Sequence, residues 1–106
     1  MIFGDYMIVD NEEPLGVSMN IDVEPLLFQA SWEGRRNFEV VDNYYDYKVG
    51  DLLALKETRL PLREYEAEDK PVTYTGRRRY VTITHIMNLA DYYRNTDLLV
   101  LSVKPW

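Results

Sequence analysis

Apolar and polar positions alternate in several stretches of this chain and follow a helical spacing in one. In "VSMNID" (17–22), Val17, Met19 and Ile21 fall on one face, as in a half-buried strand. "DVEPLLFQASWEG" instead spaces Leu27, Phe28, Ser31 and Trp32 along one inward helical face. Its punctuation agrees: Asp22 or Glu24 serves the N-terminus, Pro25 suits the first turn, and Gly34 suits a left-handed stop. "NFEVVDN" predicts a strand with Phe38 and Val40 on one side.

"DYKVGDLLALKE" (46–57) is the clearest signature. Gly50 can take the positive φ of a tight turn, and Asp51 can hydrogen-bond that turn's backbone. Leu53 and Leu55 then point one way, Leu52 and Ala54 the other, which predicts a strand covered on both sides. Residues 58–73 carry two prolines and four acids and predict a long, mobile surface excursion. "YTGR" turns into a second long strand over 79–86; a brief helix is expected near "NLADYYR", and "DLLVLSV" (97–103) closes the pattern. The apolar stretch from Tyr6 to Val9 and the turn "DNEEPLG" make residues 1–17 an N-terminal arm or extra strand, ahead of a domain over 18–106. Short strands with one or two short helices predict an α+β fold, a small and mostly antiparallel β-barrel.

Composition narrows the function classes. A chain of 106 residues suffices for one compact domain. Without a run of roughly 18 apolar residues, and with acids where a basic leader would stand, no membrane association is expected. The absence of cysteine removes disulfide and thiolate chemistry and fits a cytoplasmic setting. His85 is the only histidine, so no zinc cluster is expected; a triad would have to be built around it, and a surface or structural role is the expectation. No glycine-rich phosphate loop is present, and no metal or cofactor is expected. The net charge of -6 opposes nonspecific coating of nucleic acid, so any such role must be confined to a cleft or a short basic patch.

Two features could supply that patch. "YYDYK" (44–48) and "DYYRN" (91–95) set aromatics in polar surroundings, as stacking platforms, partner contacts or rim packing. In "YTGRRRYVTITHI" (74–86), strand alternation places Arg77 and Arg79 on the face of Val81 and Ile83, at the barrel mouth, with Arg78 pointing outward. The plainer expectation is that these arginines are solvated and pair with acids of residues 64–69, each pair contributing roughly 0–1 kcal/mol.

Taken together, "EPLLFQASWEGRRNFEVVDNYYDYKVGDLLALKE", "YTGRRRYVTITHI" and "LLVLSV" resemble the ASCH domain family of the PUA-like superfamily, in a bacterial and phage subfamily without an assigned function. The likeness spans roughly residues 18–104 and implies a PUA-like barrel with a cleft between helix and sheet. It further implies binding of RNA or a modified nucleoside; one small branch of similar length hydrolyses the acyl group of acetylated cytidine nucleosides. The family signature G-x-K-x-x-E-x-R falls on Gly34, Arg35, Arg36, Asn37, Phe38, Glu39, Val40 and Val41. Glycine and glutamate match, but Arg36 stands for the lysine and Val41 for the last arginine. Arginine keeps its proton, so Arg36 cannot act as a base, although its planar fork can anchor a phosphate or carbonyl oxygen. Tyr44 and Tyr45 replace a commoner acid and arginine, giving a more aromatic and less catalytic cleft.

The leading expectation is a non-enzymatic PUA-like domain that binds RNA or a nucleotide-like ligand. Arg36, Arg77 and Arg79 would contact phosphate or base edges, Glu39 would accept base hydrogen bonds, and Tyr44 or Tyr45 would stack. One alternative is a protein-interaction domain that uses the acidic 58–73 segment on a basic partner. Another is an amidohydrolase acting on an acylated nucleoside, with Glu39 as its acid/base or orienting group.

Overall fold

A computed structural model describes residues 13–106. The possible strand around Tyr6–Val9 lies outside them. Among the described residues there are five strands: β1 (Val17–Val23), β2 (Phe38–Asp42), β3 (Leu52–Thr58), β4 (Tyr74–Asn88) and β5 (Leu98–Pro105). Helix α1 (Pro25–Trp32) follows β1, α2 (Leu62–Glu68) links β3 to β4, and a 3-10 turn covers Leu89–Asp91. The sheet runs β1-β3-β4-β5-β2; β1 lies parallel to β3 and every other pairing is antiparallel. This is a small α+β domain with a curled sheet, a half-barrel. Among the described residues β1 and β2 are its edges, so the ladder does not close as the expected barrel would. Tyr45, just beyond β2, reaches across and donates to the Ser18 carbonyl of β1 at 3.2 Å.

The core lies between α1 and the concave face. Phe28, Leu53, Leu55, Val81 and Leu101 are fully buried, with Ile83 beside them. Each such side chain stabilises the fold by about 1.5–3 kcal/mol relative to exposure. Leu52 and Ala54, on the other face of β3, are buried as well, as the two-sided apolar pattern requires. At the turn before β3, Gly50 has φ +97° and the Asp51 carboxylate accepts the Lys48 N–H at 2.9 Å. Helix α1 starts with Pro25 after Glu24 and ends before Gly34 at φ +78°.

Two expectations need correction. Residues 58–73 are not an irregular excursion, because α2 occupies their centre. Its N-terminal Pro61 provides no side-chain cap, yet Glu24 of the α1 start accepts the Leu62 N–H at 2.7 Å. Tyr65, 3% exposed, pins the helix down: its hydroxyl accepts the Leu60 N–H and donates to the Thr73 carbonyl. Second, β4 begins at Tyr74 rather than at 79. Gly76, at φ +96°, sits in a break of the β3–β4 register between Lys56 and Thr58, which absorbs the turn signal into a bulge. In β2, Phe38 and Val40 share one side as expected; it is the exposed side, at 43% and 44%, while Glu39 between them is buried at 3%.

Candidate functional site

The site grows from the end of α1. After Gly34, the Arg35 and Arg36 amides both bond to the Ala30 carbonyl, folding the turn back on the helix. That brings Arg36 to the start of β2, where its Nη1 meets Glu39 Oε2 at 2.7 Å. Both side chains are nearly buried, and the guanidinium also lies 4.7 Å from the Phe38 ring centroid. Burial pushes the Glu39 carboxyl above its ordinary pKa; the Arg36 hydrogen bond and charge, and then the Arg79 charge, oppose that shift without cancelling it.

Arg79, on the concave face of β4, approaches the same place. Its Nη1 lies 3.4 Å from the Trp32 carbonyl at the end of α1, a long contact, and its Nε is buried with no partner. The Ser31 hydroxyl, 1% exposed, likewise has no partner. Buried polar atoms are almost always satisfied, so two orphans on α1 and the facing strand mark this seam as unusual.

Arg77 shares that face but is spent on structure. Its Nε and Nη2 grip Glu57 at 2.9 and 3.0 Å, and Nη2 also donates to Gln29 Oε1 at 2.7 Å. Its guanidinium sits 5.1 Å from both the Phe28 and the Trp32 ring centroids. The Arg77 hydrogen bond holds the Glu57 carboxyl below its ordinary value, with the Thr75 hydroxyl assisting and burial opposing. The expected pairing of Arg77 with acids of residues 64–69 is therefore replaced by Glu57 of β3. Arg78, on the other face, lies 3.9 Å from Glu13.

The structure thus gathers Arg36, Glu39 and Arg79 at one end of α1 and sets Arg77 beside the helix with its own acid. The tyrosines are separated from them in role. Tyr45 ties β1 and packs edge-on against Tyr47, whereas Tyr44 is 84% exposed. Glu57, not among the expected site residues, has a signal in the sequence: it continues the inward set Leu53, Leu55 at a spacing of two. His85 is exposed on β4. Among the described residues no group of three His, Cys, Asp or Glu side chains could hold a metal, and no helix is long and apolar enough to cross a membrane. A hollow of about 340 Å³ lies beside α2, lined by Leu62, Tyr65, Glu66, Asp69, Lys70 and Val72, none of them part of the arginine group.

No curated protein matches the chain. A family model described as a domain of unknown function (DUF3850) matches residues 19–103, from within β1 to within β5, and so takes in every residue of the seam. The chain belongs to that family.

Proposed function

We infer that this chain is a binding domain of the PUA-like, ASCH kind, taking RNA or a nucleotide-like ligand at the seam between the end of α1 and the concave face of the sheet. The observation that carries this reading is the Arg79 guanidinium: a buried Nε–H without an acceptor, beside a carboxyl that burial has raised. A ligand acceptor would satisfy the donor, and Glu39 would face a polar edge of the same ligand. Arg36 positions Glu39 instead of reaching ligand, and Arg77 supports the Trp32 ring, which is 40% exposed and offers a stacking face. Tyr44 is exposed enough to stack on a longer strand. The local cluster, not the acidic chain as a whole, supplies the affinity.

The test is a titration against short single-stranded RNAs at low and moderate salt. Micromolar binding that weakens with salt and is lost in Arg79→Ala supports the reading; no salt-sensitive binding at micromolar protein overturns it.

A second reading has one observation in its favour. The raised Glu39 carboxyl suits a proton-transfer group, so hydrolysis of an acylated nucleoside is the enzymatic alternative. Its partner Arg36 stays protonated and supplies no base. Product chromatography after incubation with acetylcytidine decides it: turnover lost in Glu39→Gln replaces pure binding with catalysis.

A further inference from the structure

We propose that the hollow beside α2 seats an arginine side chain of a basic peptide segment. One face of the helix builds most of it. Leu62, Tyr65, Glu66 and Asp69 follow helical spacing, so a single stripe carries two apolar groups and two carboxylates into the lining. Asp69, left-handed at φ 50°, ends the helix, and Lys70 and Val72 complete the hollow. Its volume of about 340 Å³ lies at the small end of the range for ligand sites, roughly 300–1,000 Å³, and suits one long side chain. The stripe is fixed before any partner arrives: Glu24 holds the Leu62 N–H, and Leu60 and Thr73 saturate the Tyr65 hydroxyl. What Tyr65 adds to the lining is therefore its ring.

The charges select the occupant, because these two carboxylates are not neutralised within the chain. Among the described residues neither Glu66 nor Asp69 forms an ion pair or a side-chain hydrogen bond, although Arg63 stands one turn before Glu66. Lys70, the cation of the lining, is held by Glu68 at 2.9 Å instead. Its ammonium lies 5.9 Å from the Tyr65 ring centroid, so the chain itself already sets a positive charge within reach of that ring. The helix adds to the imbalance. A C-terminal turn favours cations, yet Glu66, Glu68 and Asp69 stand at this end of α2 and its last turn has no basic residue.

A cation supplied from outside answers both features. Leu62 and Val72 give a methylene stem its apolar wall, and paired carboxylates match the forked donors of a planar guanidinium. The same charges repel phosphate, which sets this surface apart from the seam. Glu64, also without an ion pair among the described residues, extends the acidic row along α2. Neighbouring basic residues of a peptide therefore gain attraction that a lone arginine lacks, and the net charge of -6 steers such a peptide toward the chain.

Titration of the full chain with a short blocked peptide of alternating arginine and glycine tests this, with amide resonances as the readout at low and moderate salt. Saturable shifts centred on α2 that weaken with salt are expected. The same peptide with citrulline, equal in shape but neutral, should not bind. Glu66→Gln with Asp69→Asn keeps the helix and its left-handed end, and should weaken binding about tenfold or more. Asp91→Asn with Asp97→Asn removes the same charge elsewhere on the surface and should weaken it less than about twofold. Arg79→Ala should leave it unchanged, so the result is independent of RNA binding at the seam. No shifts at millimolar peptide, equal binding of the citrulline peptide, or equal weakening by the two double variants overturns the proposal. Free arginine or spermidine binding as tightly as the peptide overturns the peptide as occupant.

Discussion

Arg36 Nη1 and Glu39 Oε2 lie 2.7 Å apart across the turn that starts β2, in a pair exposing only 11% and 4% of its side chains. Their closeness does not make the carboxylate comfortable, because desolvation outweighs the guanidinium's attraction. Removing the arginine strands that carboxyl. Arg36→Met should destabilise the domain by about 3–5 kcal/mol at neutral pH, and by less in acid, where Glu39 can hold its proton. Urea unfolding at the two pH values measures both; an equal loss at each would trace the effect to packing.

The two arginine-paired glutamates should titrate on opposite sides of 4.5. For Glu39 the folded pKa is raised, so the folded chain binds a proton the unfolded chain has released. That stabilisation is full below 4.5 and is lost as pH rises through the folded pKa. For Glu57 the folded pKa is lowered, and its contribution is present above 4.5 and lost as pH falls through the folded value. Carboxyl carbon resonances followed by NMR give each midpoint directly; the reverse order would refute the burial argument.

Ser31→Ala should raise stability by about 1 kcal/mol, since it removes a buried hydroxyl with no partner and keeps the small volume. A thermal melt of the ligand-free chain shows it. A drop in melting temperature would mean that the hydroxyl is satisfied in solution.

Arg77 and Arg79 should separate folding from recognition. Arg77→Ala leaves Glu57 unpaired and uncovers Phe28, a loss of about 1–2 kcal/mol after allowance for the partial exposure of the guanidinium. Arg79→Ala should change stability by no more than about 0.5 kcal/mol while abolishing salt-sensitive RNA binding. Paired melts and titrations of the two variants read the contrast.

Gly50→Ala should cost about 1–2 kcal/mol through backbone strain alone, because φ is +97° and an added Cβ meets nothing within 4 Å. Chemical denaturation measures it, and an unchanged midpoint would show that the turn relaxes.

Local chemistry by itself determined much of this protein. The bounds of α1 follow from Pro25 and Gly34, and the turn into β3 from Gly50 and Asp51. The two-sided burial of β3 and the shared face of Arg77 and Arg79 follow from alternation, since neighbours in a strand must point opposite ways. Alternation gives parity and not sign, however. Which face of β2 turns inward was decided by Arg36, which reaches Glu39 from the turn beyond α1 and lets an acid be buried while Phe38 and Val40 stay out. Helix α2 was hidden because its first amide is satisfied by Glu24, far away in the chain, and its anchor Tyr65 bonds across to Thr73. The partner of Arg77 was hidden for the same reason: Glu57 becomes its neighbour only once β3 and β4 pair. Spacing along the chain reports what a residue's own backbone can do, whereas the neutralisation of a buried charge depends on groups that only the assembled sheet brings within hydrogen-bond reach.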